Sequence, residues 1–309
     1  MVTAACQPVV ETYGKPSRRL PDCLVSQPYH TLIVHFDSKL TGKYDDKMAT
    51  LSELLQMELS PFWNNLIVSQ LMVVWCKLGL EFLYRQRTNN ERVRQRLALV
   101  LSSLICFWPL FDRSDTCWSW RLNILVPISL TGRLIYKGTI LKDPEDVEVR
   151  CFSRSGAMPS ELLLGPLQWM VLLTYLGLNH FMERQAAVTV AAVFLGDSWL
   201  APTLGQEYGR HHYQMPLARR KTMEGSLVGV FLGTCVGSYI FLTFLGLEVP
   251  PLRVMLVYGA LAAVAEGTAP GHWDNVAIAL ILQASWDRVP LWLPSDENTS
   301  VAVVPIVVS

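Results

Sequence analysis

Long apolar runs separated by short polar segments dominate the chain from residue 63 to residue 293. A helix that crosses a membrane needs about 20 mainly apolar residues, and eight runs approach that length. They are Trp63–Tyr84, Leu97–Phe111, Leu122–Tyr136, Leu162–Phe181, Ala186–Leu204, Gly225–Leu245, Pro251–Gly267 and Asn275–Leu293. The fourth to eighth are the clearest, and one of the first three is a candidate for an interfacial position. The pattern predicts an all-α polytopic membrane bundle of about seven or eight transmembrane helices.

The segments that flank these runs have a different pattern. Met48, Leu51, Leu54, Leu55 and Leu59 recur at helical spacing, which predicts an amphipathic helix. That helix lies either flat on the membrane or against the bundle. We therefore divide the chain into an irregular or amphipathic segment (1–60), a transmembrane domain (61–294) and a tail (295–309). The N-terminus lacks the pattern of a cleaved secretory signal.

Composition supports the membrane class. Apolar residues make up 51% of the 309 residues and charged residues only 17%, with a mean hydropathy of +0.28. Basic and acidic residues both number 26, so no overall charge favours a nucleic acid as partner. The seven cysteines show no C-x-x-C spacing, and we interpret them as buried thiols. Protein partners are not indicated.

Lysine and arginine concentrate in alternate loops, which predicts the orientation because basic loops resist translocation. The three basic loops follow the first, third and fifth runs, and all should face the cytosol. Their basic residues include Arg85, Arg87, Arg92, Arg94, Arg96, Lys137, Lys142, Arg150, Arg154, Arg210, Arg219, Arg220 and Lys221. Both termini should then be lumenal, where the glycosylation sequon at Asn298 would be usable.

Asp197 is the first candidate for chemistry. It follows the apolar run Ala186–Leu195, where an ionised carboxylate costs at least about 2.5 kcal/mol unless it is paired or binds a metal. A residue kept at that cost is usually functional. The alternative is an interfacial position or a neighbouring arginine partner.

A basic, glycine-containing segment then leads into the sixth run and predicts a phosphate site. Free backbone N–H groups at the start of a helix bind phosphate. Lys221 would supply a point charge, Gly225 a close approach to the backbone, and Thr222 or Ser226 a hydroxyl. Alternatively, the charges serve only to orient the chain. The phosphate-binding candidates are Gly205, Gly209, Arg219, Arg220, Lys221, Thr222, Gly225, Ser226 and, from an earlier loop, Arg154.

A second polar cluster lies at the ends of the last two runs, on the same predicted face. Glu266, Asp274 and Asn275, together with Asp197, would provide the oxygen ligands that Mg²⁺ prefers while it bridges substrate phosphates. The metal-ligand candidates are therefore Asp197, Glu266, Asp274 and Asn275. The alternative is that the two carboxylates are ordinary loop-end residues.

Between residues 150 and 280 the chain resembles the CTP-dependent lipid kinases that include dolichol kinase, phytol kinase and the fungal diacylglycerol kinase. The resemblance rests on Gly196-Asp197, the spaced Gly205, Gly209 and Pro216, the block Lys221 to Ser226, Glu266, and Asp274-Asn275. The chain is also distantly similar to phosphatidate cytidylyltransferases.

The resemblance implies transfer of the γ-phosphoryl group of CTP to the hydroxyl of a membrane lipid alcohol, with Mg²⁺ as cofactor and the bilayer as surroundings. Asp197, Lys221 and Glu224 would be catalytic, with Asp197 and Asp274 as metal ligands or base. We expect an endoplasmic-reticulum protein with a cytosolic active site. A cytidylyltransferase and a catalytically silent scaffold or lipid-binding subunit are the alternatives.

Overall fold

A computed structural model describes residues 60–86, 90–114, 118–216 and 218–289. The predicted amphipathic stripe before residue 60, the tail with its sequon, and the end of the eighth apolar run lie outside these residues. The described part is helical apart from loops and one short pair of strands, which confirms the predicted all-α class.

Nine helices and two strands follow one another in the described residues. They are α1 (Pro61–Tyr84), α2 (Asn90–Leu110), α3 (Ser119–Leu141), α4 (Val147–Phe152), α5 (Pro159–Asn179), α6 (Arg184–Glu207), β1 (His212–Tyr213), β2 (Lys221–Thr222), α7 (Glu224–Phe244), α8 (Leu252–Thr268) and α9 (Asp274–Ser285). Strands β1 and β2 pair antiparallel, with His212 opposite Thr222.

Within the residues that the structure describes, six helices are long and apolar enough to cross a membrane: α1, α2, α3, α5, α6 and α7. This supports an integral membrane protein. The last two predicted runs also form helices, α8 with 17 residues and α9 with 12.

Local sequence explains several helix ends. Proline stands in the first turn of α1 at Pro61, where its missing N–H costs no hydrogen bond. Asp146 caps α4 by accepting a hydrogen bond from the Glu148 backbone N–H, and Gly246, at φ +66°, follows the end of α7. All three are residue types that commonly begin or end helices.

Helix α6 lies at the centre of the bundle. It packs against α2, α7, α8 and α9, and every residue from 185 to 194 is buried. Helix α1, in contrast, exposes large apolar side chains such as Trp63, Leu71 and Phe82. Apolar side chains on the outer surface are expected where the surrounding solvent is lipid.

Glycines allow α6 and α7 to approach closely. A Cβ on Gly229 would lie 2.4 Å from the Cα of Ala201, and one on Gly233 would lie 2.7 Å from the Cα of Gly196. Small residues at helix contacts are typical of membrane bundles. Both helices are π-helical beside this contact, over Ala191–Leu200 and Glu224–Leu232, and π segments often accompany functional sites.

Candidate functional site

A charged pocket of about 320 Å³ lies where the C-terminal parts of α6 and α8 meet the N-termini of α2, α7 and α9. Its volume is within the usual range for ligand sites. The pocket is lined by Glu91, Arg94, Arg154, Trp169, Asp197, Ser198, Ala201, Pro202, Gly205, Gln206, Arg219, Arg220, Lys221, Thr222, Gly225, Ser226, Glu266, Asp274 and Asn275. Residues distant in the sequence therefore meet at one end of the bundle.

Lys221 forms the most tightly paired charge in the pocket. Its Nζ lies 2.6 Å from Glu266 Oε1 and 3.7 Å from Asp274 Oδ2, and it also donates to the Glu266 backbone carbonyl at 2.6 Å. Burial alone would lower the pKa of the Lys221 ammonium, but surrounding carboxylates, Asp197 most strongly, outweigh that effect and the pKa is raised. Lys221 is therefore a fixed positive charge.

A chain of hydroxyl groups holds the other side of Glu266. Ser226 Oγ donates to Glu266 Oε2 at 2.7 Å, and the Tyr213 hydroxyl lies 2.6 Å from Ser226 Oγ. Both carboxylate oxygens of Glu266 are therefore engaged, one by Lys221 and the other by Ser226. This arrangement fixes the position of Glu266 and, through it, of the ammonium group.

The segment between α6 and α7 is held over the pocket by backbone and side-chain contacts. Strand β2 places Lys221, and Ala218 pairs with Pro270 in an isolated antiparallel bridge. Arg219 also contacts the ring Nε2 of His272. Burial, with Arg154 as the next cause, lowers the pKa of His272, so this ring favours its neutral form.

Asp197 and Asn275 line the pocket from α6 and α9. Asp197 lies in the π-helical part of α6 and forms no ion pair with any described residue. Ser198 Oγ donates to the Val193 carbonyl at 2.7 Å and lies 3.3 Å from Asn275 Oδ1. The Asp197 carboxylate thus remains available to a ligand.

Most of the residues predicted from the sequence line this pocket. The twelve that do are Arg154, Asp197, Gly205, Arg219, Arg220, Lys221, Thr222, Gly225, Ser226, Glu266, Asp274 and Asn275. The geometry also brings side chains from three predicted basic loops to one end of the bundle. The chemical roles of these residues stay predictions.

Glu224 and Gly209 do not line the pocket. The Glu224 carboxylate instead lies 2.7 Å from His211 Nδ1 and accepts from the His211 backbone N–H at 3.2 Å. The position of Glu224 therefore gives no support to the catalytic role predicted for it. Gly209 packs on the Gly205 carbonyl, which a Cβ would meet at 2.2 Å. Its place is structural, because any side chain would displace that turn.

Helix α7 begins within one residue of the predicted start of the sixth run. The helix begins at Glu224, and Lys221 and Thr222 precede it in β2. Thr222 Oγ1 accepts the Gly225 N–H at 3.2 Å. That N–H is therefore already bonded and is not the free phosphate donor that we expected.

A Mg²⁺ site would depend on few protein ligands. Within residues 60–86, 90–114, 118–216 and 218–289, no group of three His, Cys, Asp or Glu side chains is arranged to hold a metal. Magnesium commonly uses one or two carboxylates, with substrate phosphates and water completing the shell. Asp197 and Asp274 fit that requirement, whereas Glu266 is engaged elsewhere.

Some pocket residues carry no sequence pattern that predicts their position. Arg94, Trp169 and Gln206 line the pocket but were not singled out. In the sequence, Arg94 is one of several basic residues that predict the orientation of the chain. The available signal is an arginine close to the start of an apolar run, but the sequence does not show that its side chain is buried.

The fold and the pocket together define a class: a helical membrane protein whose polar pocket, rich in arginine and carboxylate groups, suits a phosphorylated ligand. No family model matches the chain.

Three plant proteins illustrate the similarity. The chain is 24% identical over 229 residues to a probable phytol kinase 1 of Glycine max and 22% identical over 235 residues to phytol kinase 1 of Arabidopsis thaliana, covering 74% of this chain and 69% of each relative. It is 26% identical over 185 residues to a probable phytol kinase of Zea mays, covering 59% of each chain. All three names include the word chloroplastic. The names support a kinase that acts on an alcohol and, coarsely, the resemblance to the lipid kinases.

Proposed function

We propose that this protein is an integral membrane kinase that transfers the γ-phosphoryl group of a nucleoside triphosphate to the hydroxyl of a prenyl alcohol. Phytol is the first candidate acceptor because the relatives are named phytol kinases, and polyprenols and dolichol follow. CTP is the proposed donor, by the family resemblance. The observation that carries the proposal is the meeting of Lys221 and carboxylates with arginines in one pocket at the end of an apolar bundle.

The triphosphate would bind to the cationic side chains. Arg154, Arg219 and Arg220 line the pocket with Lys221, and guanidinium groups bind phosphate oxygens in bidentate fashion. Phosphoryl transfer needs mainly positioning and charge neutralisation. Lys221, held by Glu266, supplies a fixed charge beside the transferred group, so Glu266 acts as a positioning residue.

Asp274 would hold Mg²⁺ together with phosphate oxygens, with Asp197 either as a second ligand or as the base, and Asn275 would contact the metal or the nucleotide. The ion would neutralise charge on the phosphates when bound. Asp197 forms no ion pair among the described residues, as expected of a carboxylate whose partner is a bound ligand.

The acceptor would enter from the lipid with its hydroxyl directed toward Asp197. The hydroxyl oxygen forms a bond with the γ-phosphorus while the bond from that phosphorus to the β–γ bridging oxygen breaks. The nucleoside diphosphate leaves, and the hydroxyl proton passes to a carboxylate, for which Asp197 is the candidate base. Trp169 and Pro202 provide apolar lining near this position.

The proposed site faces the cytosol, because basic segments remain on that side. The endoplasmic reticulum is the proposed membrane. The plant relatives carry the word chloroplastic in their names, so a fractionation experiment should compare endoplasmic-reticulum membranes with plastid membranes.

A donor and acceptor screen tests the function. Purified protein in detergent with Mg²⁺ receives CTP or ATP labelled in the γ-phosphate, and phytol, a polyprenol or diacylglycerol. We expect a labelled lipid monophosphate with phytol or a polyprenol. Label in no lipid with any pair contradicts the proposal. Incorporation of α-labelled CTP into phosphatidate, with release of pyrophosphate, would instead identify a cytidylyltransferase.

A further inference from the structure

The start of α2 carries a buried arginine that the proposed reaction does not use. The side chain of Arg94 is 8% exposed, whereas Arg92, two residues earlier on the same helix, is exposed. A buried guanidinium is costly unless its donors are bonded. An arginine kept in such a position needs an explanation beyond membrane orientation.

The partners of Arg94 within the protein are incomplete. Its Nη1 lies 3.5 Å from Glu91 Oε2, which is an ion pair at long range. Yet Nε and Nη1 are buried without any hydrogen-bond partner in the described structure. Buried polar groups in proteins are nearly always bonded, so Arg94 has hydrogen-bonding capacity that the described protein atoms leave unused.

Cationic side chains outnumber carboxylates by five to four in the pocket that Arg94 lines, and the carboxylates of Glu91, Asp274 and, in the adjoining cleft, Glu161 lie near it. Arg94 and Arg154 both line the main pocket and an adjoining cleft that also contains His272. Gly165 gives the guanidinium its room, because a Cβ there would lie 3.0 Å from Arg94 Nη2. Two arginines therefore reach the pocket from α2 and from the segment before α5. These elements are separate from the α6–α7 segment that carries Lys221.

We propose that the Arg94 guanidinium, next to Arg154, forms a further phosphate-binding subsite of the same pocket. The planar guanidinium presents paired N–H donors that bind two phosphate oxygens in bidentate fashion. The inference rests on the proposed function for the source of the phosphate, which is either the donor nucleotide or the phosphorylated lipid product.

Ligand protection of the full chain in detergent tests the subsite without turnover. The thermal unfolding midpoint is measured with pyrophosphate, CTP or dodecyl phosphate, in the absence of Mg²⁺ and of any lipid alcohol. A ligand that binds the native state raises the midpoint. We expect protection of the wild type, and apparent affinity about 10- to 100-fold weaker in Arg94→Gln, as for loss of charged hydrogen bonds. Arg92→Gln removes the same charge from the same helix and should respond as the wild type does.

The probes distinguish the two sources of phosphate. Protection by CTP and pyrophosphate that depends on Arg94 assigns the subsite to the nucleotide, and protection by dodecyl phosphate alone assigns it to the lipid product. If Arg94→Gln does not unfold cooperatively, Arg94→Lys keeps the charge but loses the paired N–H donors and should bind more weakly than the wild type.

Unchanged protection in the Arg94 variants overturns the subsite, as does a wild type that no phosphate probe protects. The subsite and the kinase proposal can fail separately. A wild-type protein that is protected through Arg94 but labels no lipid would refute only the kinase, and unchanged protection in Arg94→Gln with an active wild type would refute only the subsite.

Discussion

Replacing Lys221 by methionine tests the central ion pair. The side chains of Lys221 and Glu266 are 12% and 6% exposed, and Asp274 is 13% exposed. Methionine retains much of the apolar stem but leaves two carboxylates without their shared cation. Removing one partner of a buried pair usually costs about 3–5 kcal/mol, and we expect Lys221→Met to fall in that range.

A double-mutant cycle separates the pair from its surroundings. Glu266→Gln alone leaves Lys221 with Asp274 and should cost about 1.5–3 kcal/mol, the value for a hydrogen bond to a charged group. The double variant removes both charges of the closer pair. Its loss of unfolding free energy should therefore be smaller than the sum of the two single losses by about 1–3 kcal/mol, which is typical of directly contacting residues.

Reversible denaturant unfolding of the protein in detergent measures these free energies. Lys142→Met is the matched control, because Lys142 is exposed, and should change stability by less than about 0.5 kcal/mol. Additive losses in the double variant, or a Lys221→Met protein as stable as the wild type, would refute the close ion pair.

Two further predictions concern the scaffold. Gly229→Ala should destabilise the protein by about 1–3 kcal/mol, because the new Cβ would lie 2.4 Å from the Ala201 Cα. Gly132→Ala is the control, because a Cβ there meets nothing within 4 Å. Equal losses of unfolding free energy in the two variants would contradict the close helix packing. Burial would raise the pKa of Asp146, but hydrogen bonds from Lys137 and the helix backbone outweigh it and hold the pKa below its ordinary 3.8. Its stabilisation is therefore present above that value and lost as the pH falls through the lower folded pKa. Asp146→Asn should lower the free energy of unfolding by about 1–2 kcal/mol at pH 7. Urea titrations should show this difference from the wild type shrinking below pH 3.8, and a difference independent of pH would refute the interpretation.

The apolar pattern was sufficient to predict the helices, because lipid leaves few alternatives to a helix of about 20 apolar residues. Asp197 was also predictable, since a carboxylate directly after an apolar run is costly. The gathering of Glu266 and Asp274 around Lys221 required the assumption that their helix ends share one face. The structure confirms that these three side chains meet.

The placement of two residues could not be predicted from the sequence, for physical reasons. Glu224 is three residues from Lys221, but the chain changes from strand to helix between them, so the two side chains lie in different surroundings. The sequence does not mark Arg94 as a site residue, because membrane orientation is enough to explain a basic residue at the start of a membrane helix. Only the packing of α2 against α6 shows that its side chain is inside the bundle.

The most direct test of the account is phosphoryl transfer by the protein reconstituted in lipid vesicles, comparing the wild type with Asp197→Asn. With Mg²⁺, γ-labelled CTP and phytol, we predict labelled phytyl phosphate from the wild type. The rate should fall at least about 100-fold in a well-folded Asp197→Asn variant, as for loss of a base or a major electrostatic contact. Equal rates in the two proteins would contradict the central role given to this pocket.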